Sequence, residues 1–299
     1  MIDISLDFNF FNNYYYFYER LVILLFSLVP SLLLVWFVLY TDRKNKESKK
    51  NIIICLLSGI LTTALASYFE NLVSSYFSNN IFLIYVWALI EELSKMAIFF
   101  LFIFDNKYYD DIYDGLVYMS LIALSFAGIE NVMYAFSEST ISSSISLSLM
   151  RDLTTIPLHV ICGIIIGYFL SLGTFSKKKD KRFLNFFYAA LYAMIVHGTF
   201  NLLMTVLGNI NVPNNSLHIF MFQLLPILLI MISLFYIAVK FIKKIVKLND
   251  IYINDKTYED KYNYLMNYNE YINSNDRKRR LYNNEIITFK KKKGKVDDV

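Results

Sequence analysis

Residues 81–104 read IFLIYVWALIEELSKMAIFFLFIF, a run long enough to cross a bilayer as a helix and uncharged except for Glu91, Glu92 and Lys95 near its middle. Each charge at the centre of a membrane helix costs about 2.5 to 3.5 kcal/mol, so three left unpaired would cost on the order of 8 kcal/mol. Ionisable groups at that depth face the interior of a bundle or a water-filled cavity and mark a functional site. The segment therefore reads as a transmembrane helix that carries one wall of such a site.

The rest of the chain agrees. Its 299 residues are 56% hydrophobic, which excludes an ordinary soluble domain. Apolar segments of about 20 residues fall at 21–40, 52–69, 81–104, 112–136, 153–173, 184–207 and 219–241. They predict an all-α fold, a polytopic bundle of about seven transmembrane helices over residues 1–241. Residues 242–299 are rich in Tyr, Asn and Lys, with basic clusters at 277–280 and 290–293. They read as a basic cytoplasmic tail, partly disordered, whose clusters suit lipid headgroups. Membrane lipids are expected partners and nucleic acid is not. Cys55 and Cys162 lie inside apolar segments, so neither a disulfide framework nor a thiolate zinc site is suggested. The first segment lacks the basic start and small-residue cleavage site of a signal peptide and reads as a retained helix.

Lys and Arg are unevenly shared among the connections. Residues 41–51 and 174–183 hold five each, 70–80 and 208–218 hold none, and 137–152 holds Arg151 alone. The positive-inside rule then places the amino terminus outside the cell membrane and the carboxyl tail in the cytoplasm.

Four segments carry polar groups that a lipid-facing helix would not tolerate. In the third, Glu91 and Lys95 share a face at a spacing of four, which predicts their pairing, while Glu92 points about 100° away. The fourth holds Phe126, Glu130 and Asn131, with Ser125, Ala127 and Gly128 small enough to admit a neighbouring helix closely. The fifth holds His159 after Pro157, and the sixth holds His197 and Asn201 one turn apart. Counted from the segment ends with alternating direction, Glu91, Glu130, His159 and His197 all fall roughly 9 to 15 Å below the outer surface, at 1.5 Å per residue. Singly, each has a structural reading as an ion pair or an interhelical hydrogen bond. Jointly, three Glu and two His at one depth point to a single site. His218 falls in an outer connection and receives no role.

A carboxylate in a dry site serves as a general base for water, and His or Asn side chains can stabilise an oxyanion or protonate a leaving amine. Peptide hydrolysis within the membrane fits this set. No Gly-x-Ser-x-Gly or His-Glu-x-x-His motif is present, which disfavours a serine hydrolase and the common zinc protease. The Lys95 ammonium favours catalysis without a metal or other cofactor, while zinc held by His159, His197 and Glu130 stays open as the alternative. An ion or proton transporter is a reading of a different class. It predicts inverted repeats, which the chain lacks.

Four blocks in order carry a family resemblance: Glu91-Glu92-Leu93-Ser94-Lys95; Asp114-Gly115-Leu116-Val117-Tyr118 leading to Phe126 through Asn131; Arg151 with Pro157-Leu158-His159 and Gly163; and His197-Gly198-Thr199-Phe200-Asn201. Over about residues 81–205 the chain resembles the PrsW family of intramembrane proteases and is more distantly similar to the CAAX prenyl endopeptidases and bacteriocin self-immunity proteins. The resemblance implies a bacterial enzyme making the first cut in a membrane-anchored anti-sigma factor on its extracytoplasmic side. It also implies Glu91 or Glu92 as base, Glu130 and His159 as essential groups and His197 as their partner. Lys95, Asn131 and Asn201 would support them; Asn201 stands where related sequences often carry an acidic residue. A CAAX-type prenyl endopeptidase is the alternative of the same class.

Overall fold

A computed structural model describes residues 16–41, 47–77, 81–106, 109–176, 179–209 and 225–268. Among these, every regular element is helical: α1 (Phe17–Thr41), α2 (Lys49–Ser74), α3 (Ile81–Phe102), α4 (Asp114–Ser137), α5 (Ile141–Leu153), α6 (Thr155–Thr174), α7 (Lys179–Gly208) and α8 (Leu225–Tyr268). Six helical stretches have the length and composition to cross a membrane: α1, α2, α4, α5 with α6, α7, and the first part of α8. Helix α3 is as long and sits where the third span is expected, but carries the three charges. The protein is a polytopic helical bundle.

Helix α4 is the axis of the bundle and is buried along nearly all its length, against α6, α2 and α1, while α3 packs on α7 and α2. Small residues set the crossings. A Cβ added at Gly59 of α2 would lie 2.4 Å from the Ser125 Cβ and 2.6 Å from the Ile122 carbonyl oxygen of α4. One added at Gly167 of α6 would lie 2.5 Å from the Gly115 carbonyl oxygen. Backbones approach this closely only where side chains are nearly absent, which is how helices associate without a hydrophobic drive. Outward faces carry Leu25, Leu33, Trp36, Phe37, Leu57 and Phe235, exposed as lipid-facing residues are.

Two departures from the sequence reading concern connections. Residues 137–152 were expected to be a loop, but 141–153 form α5, capped by the Thr140 hydroxyl accepting from the Ser143 N–H at 3.2 Å. Five serines keep its hydropathy too low for an apolar segment, although Ser144 and Ser148 are buried and Ser148 shares a hydrogen bond with Ser27 of α1 at 2.9 Å. The chain breaks at Thr154 and restarts as α6, with Pro157 in the first turn, where a missing N–H costs nothing. The seventh apolar segment ends at residue 241, yet α8 runs on to Tyr268. The chain divides into two compact units, Met1–Lys243 and Lys244–Val299. His218, residues 219–224 and the basic clusters of the tail lie outside the described residues.

Candidate functional site

Glu92 turns into the bundle with no exposure. Its Oε1 accepts from Lys95 Nζ at 2.8 Å and from His197 Nδ1 of α7 at 2.7 Å. Lys95, fully buried, reaches His159 Nδ1 of α6 at 3.1 Å and lies over the Phe126 ring, 4.3 Å from its centroid. An ammonium only donates, so His159 Nδ1 is an acceptor and the ring proton sits on Nε2. That Nε2–H donates to Glu130 Oε2 at 3.0 Å. Glu130 Oε2 is also 2.9 Å from Arg151 Nη2, and the Arg151 guanidinium covers the Tyr134 ring at 4.0 Å. By the same logic His197 Nδ1–H donates to the Glu92 carboxylate, which leaves Nε2 3.8 Å from Glu91 Oε2. The two imidazoles meet edge to face, centroids 4.9 Å apart.

The structure thus brings together Glu91, Glu92, Lys95, Glu130, His159 and His197 from four helices. One expectation is corrected: Lys95 pairs with Glu92, three residues away, rather than with Glu91, four away. Both spacings bring side chains together on a helix. The choice between them is made across helices, because His159 and His197 draw the ammonium and the Glu92 carboxylate inward. Asn131 supports the site from behind: its Nδ2 donates to the Ser27 carbonyl at 3.2 Å and to Asp152 Oδ1 at 3.0 Å, tying α4 to α1 and α5. Asn201 lies half-buried one turn past His197, and its carbonyl accepts from Thr205. Its side chain takes no part in the hydrogen-bonded cluster.

The two adjacent glutamates differ sharply. Both are buried with an Oε2 that makes no hydrogen bond, but Glu92 is held on Oε1 by Lys95 and His197. Glu91 also lines a cavity of about 30 Å³, together with Glu130 and Phe126 of α4 and Thr63, Ser67 and Glu70 of α2. That space suits a water or two. Glu70 was read from sequence as the start of a connection. The signal that finds it is the polar stripe Thr63, Ser67, Glu70, Ser74, spaced four, three and four along an otherwise apolar helix.

Donor atoms of Glu91, Glu92, His159 and His197 lie within 4.8 Å of one another, a set that can hold a divalent cation. Glu91 Oε2 and Glu92 Oε2 make no hydrogen bond, and His197 Nε2 faces them. The Glu92–His197 pair has the arrangement in which a carboxylate orients a metal-ligating imidazole. Three such donors with room for water match an open zinc site, so the residues fit the metal. His159, whose Nδ1 is held by Lys95, would be the fourth donor of that set. Glu130, the carboxylate of the zinc alternative read from sequence, instead sits on the far nitrogen of His159 beside Arg151, and the carboxylates of the donor set that could hold a cation are Glu91 and Glu92.

Residues 47–235 match the model of a family described as PrsW family intramembrane metalloprotease, a span that contains every residue of this cluster. Among curated proteins, Protease PrsW of Clostridioides difficile is 30% identical over 186 residues, covering 60% of this chain and 78% of that protein. Protease PrsW of Oceanobacillus iheyensis is 30% identical over 180 residues, 59% of this chain and 80% of that one. Protease PrsW of Bacillus subtilis is 27% identical over 121 residues, 40% and 52% of the two chains. No solved structure matches the chain.

Proposed function

We propose that this chain, which belongs to the PrsW family of intramembrane proteases, hydrolyses a peptide bond of a membrane-anchored regulatory protein of the anti-sigma-factor kind, with Glu91 activating the water. One contrast carries the assignment of roles. Glu92 is fixed by Lys95 and His197, while Glu91 presents an unbonded oxygen beside a water-sized cavity. A general base must reach the proton it takes, and of the two glutamates only Glu91 has a free oxygen lining that space.

A zinc ion held by Glu91, Glu92 and His197, with His159 within reach, would supply Lewis-acid polarisation of the scissile carbonyl and a more acidic water. The chain's own groups do the rest. Glu91 accepts the water's proton as oxygen attacks the carbonyl carbon, and returns it to the nitrogen of the breaking C–N bond. Were a metal held through one of its oxygens, the other would remain to take this proton. Glu92 holds His197 in the Nδ1–H form, so that Nε2 presents its lone pair to the cluster. Lys95 holds His159 in the opposite tautomer, and Glu130 with Arg151 anchors that ring. Low exposure throughout keeps bulk water from competing.

The site is assigned to the outer half of the cell membrane, with the amino terminus outside. The asymmetry of Lys and Arg and the common depth of the four polar positions support this. Membership in a protease family sets the transporter alternative aside. A prenyl endopeptidase would draw its substrate from the cytoplasm. Co-expression with a membrane-anchored protein encoded beside the gene, tagged at both ends, tests the reading. A shortened fragment cut on the extracytoplasmic side is expected with the native chain and none with Glu91→Gln. Equal fragment from both, or a cut confined to the cytoplasmic end, would overturn it.

A further inference from the structure

We propose that Glu70 is a positioning residue for the hydrolytic water, which reaches Glu91 along the polar face of α2. The inference rests on Glu91 being the base and adds a second acceptor and a route. Glu70 comes from a helix that carries none of the four sequence blocks. It is half-buried, its Oε1 is shielded and makes no hydrogen bond, and it lines the cavity that Glu91 lines. The about 30 Å³ available admits water rather than a substrate side chain.

Elementary geometry then gives Glu70 its part. A water molecule has two O–H donors, and a base that binds only one leaves the oxygen free to rotate. A second acceptor fixes the molecule and directs its lone pair away from both carboxylates, toward the space where a carbonyl carbon must arrive. Among the carboxylates lining the cavity, Glu130 is engaged by His159 and Arg151, and Thr63 donates its hydroxyl to the Gly59 carbonyl at 3.1 Å. Both Glu130 contacts fall on its Oε2 and hold that carboxylate against α5 and α6, whereas Glu70 makes no ion pair among the described residues and is the carboxylate assigned to serve with Glu91. The same face of α2 supplies a path. Thr63 and Ser67 are buried, Glu70 and Ser74 are half-buried, and Ser75 at the helix end is exposed. Exposure therefore rises steadily from the cavity to the end of the helix. The opposite face, with Ile60, Leu61, Ala64 and Tyr68, is exposed as lipid-facing residues are.

Two measurements on the full chain in liposomes test this. In a Cys55→Ala, Cys162→Ala background, Ser67→Cys and Ala64→Cys are treated with a small charged methanethiosulfonate, which needs water to generate the reactive thiolate. Ser67→Cys is expected to react at least about tenfold faster than Ala64→Cys, as a hydrated position should. Equal slow reaction would remove the water route, whether or not any substrate is cleaved. In the cleavage assay Glu70→Leu is expected to lower kcat by about ten- to a hundredfold with KM unchanged, as loss of orientation does, and Glu70→Gln, which keeps an acceptor oxygen, to restore it to within about threefold. Native kcat in Glu70→Leu, or equal loss in both variants, would remove the positioning role. Absence of cleavage by the native chain would count against the proposed function instead.

Discussion

Replacing Lys95 by Met removes the one ammonium that joins Glu92 to His159, and the cost can be worked from the contacts. Lys95 is fully buried, 2.8 Å from Glu92 Oε1 and 3.1 Å from His159 Nδ1, with Phe126 beneath it. Methionine fills much the same volume, so the effect is electrostatic rather than a cavity. Deleting one partner of a buried pair leaves an uncompensated carboxylate and costs about 3 to 5 kcal/mol. At about 2 to 4 °C per kcal/mol for a domain of this size, the apparent melting temperature should fall by about 6 to 20 °C. The double variant Lys95→Met, Glu92→Gln removes the orphaned charge and should recover at least half of that loss. Fluorescence-detected size-exclusion after heating in detergent reads both. A single variant as stable as the native chain, or a double variant less stable than the single, would refute the assignment of Lys95 to Glu92.

Other outcomes follow from the same geometry. Arg151→Met should lower cleavage by about a hundredfold or more and destabilise the fold, because Glu130 and His159 lose their anchor; rates and melting measured together check this. Gly167→Val should leave little folded protein, since its Cβ would press on the Gly115 carbonyl; the monodisperse fraction after purification is the readout. Native protein is expected to bind about one Zn²⁺ per chain by elemental analysis, and Glu92→Gln with His197→Ala to bind none, in line with an open catalytic site. Burial raises the Glu47 carboxyl above its usual range, against the hydrogen bond it accepts from Tyr118. The folded chain then holds that proton more tightly than the unfolded one, so this contribution is full at low pH and is lost as pH rises through the folded value. Glu47→Gln should therefore flatten the decline in melting temperature as pH rises above the ordinary carboxylate range. For orientation, Ser143→Cys should react with an impermeant thiol reagent on intact cells and Lys181→Cys should not.

Much of this is legible in the sequence. Charge inside residues 81–104 is expensive enough that its presence alone announces a site, and counting depth along alternating helices was sufficient to bring Glu91, Glu130, His159 and His197 together. Pairwise detail was not legible. Glu91 and Glu92 are both within a turn of Lys95, and only the imidazoles arriving from α6 and α7 decide between them. Helix α5 was hidden because its buried serines are satisfied by Ser27 of α1 and by the Thr140 carbonyl, which lets a weakly apolar helix pack inside the bundle. Glu70 was missed because it closes an apolar run and so resembled the edge of a loop, although its stripe of polar neighbours was visible at helical spacing.

The central claim is that Glu91, beside the small cavity, is the base while Glu92 holds the site together. Purified native chain, Glu91→Gln and Glu92→Gln, each in liposomes with the co-purified membrane-anchored substrate, should be followed for new amino termini by mass spectrometry alongside melting temperature. The account predicts native melting with cleavage down by about a thousandfold or more for Glu91→Gln, as loss of a general base and its positioned water should give, and reduced stability with reduced cleavage for Glu92→Gln. A fully active Glu91→Gln, or one that loses stability as Glu92→Gln does, would contradict it.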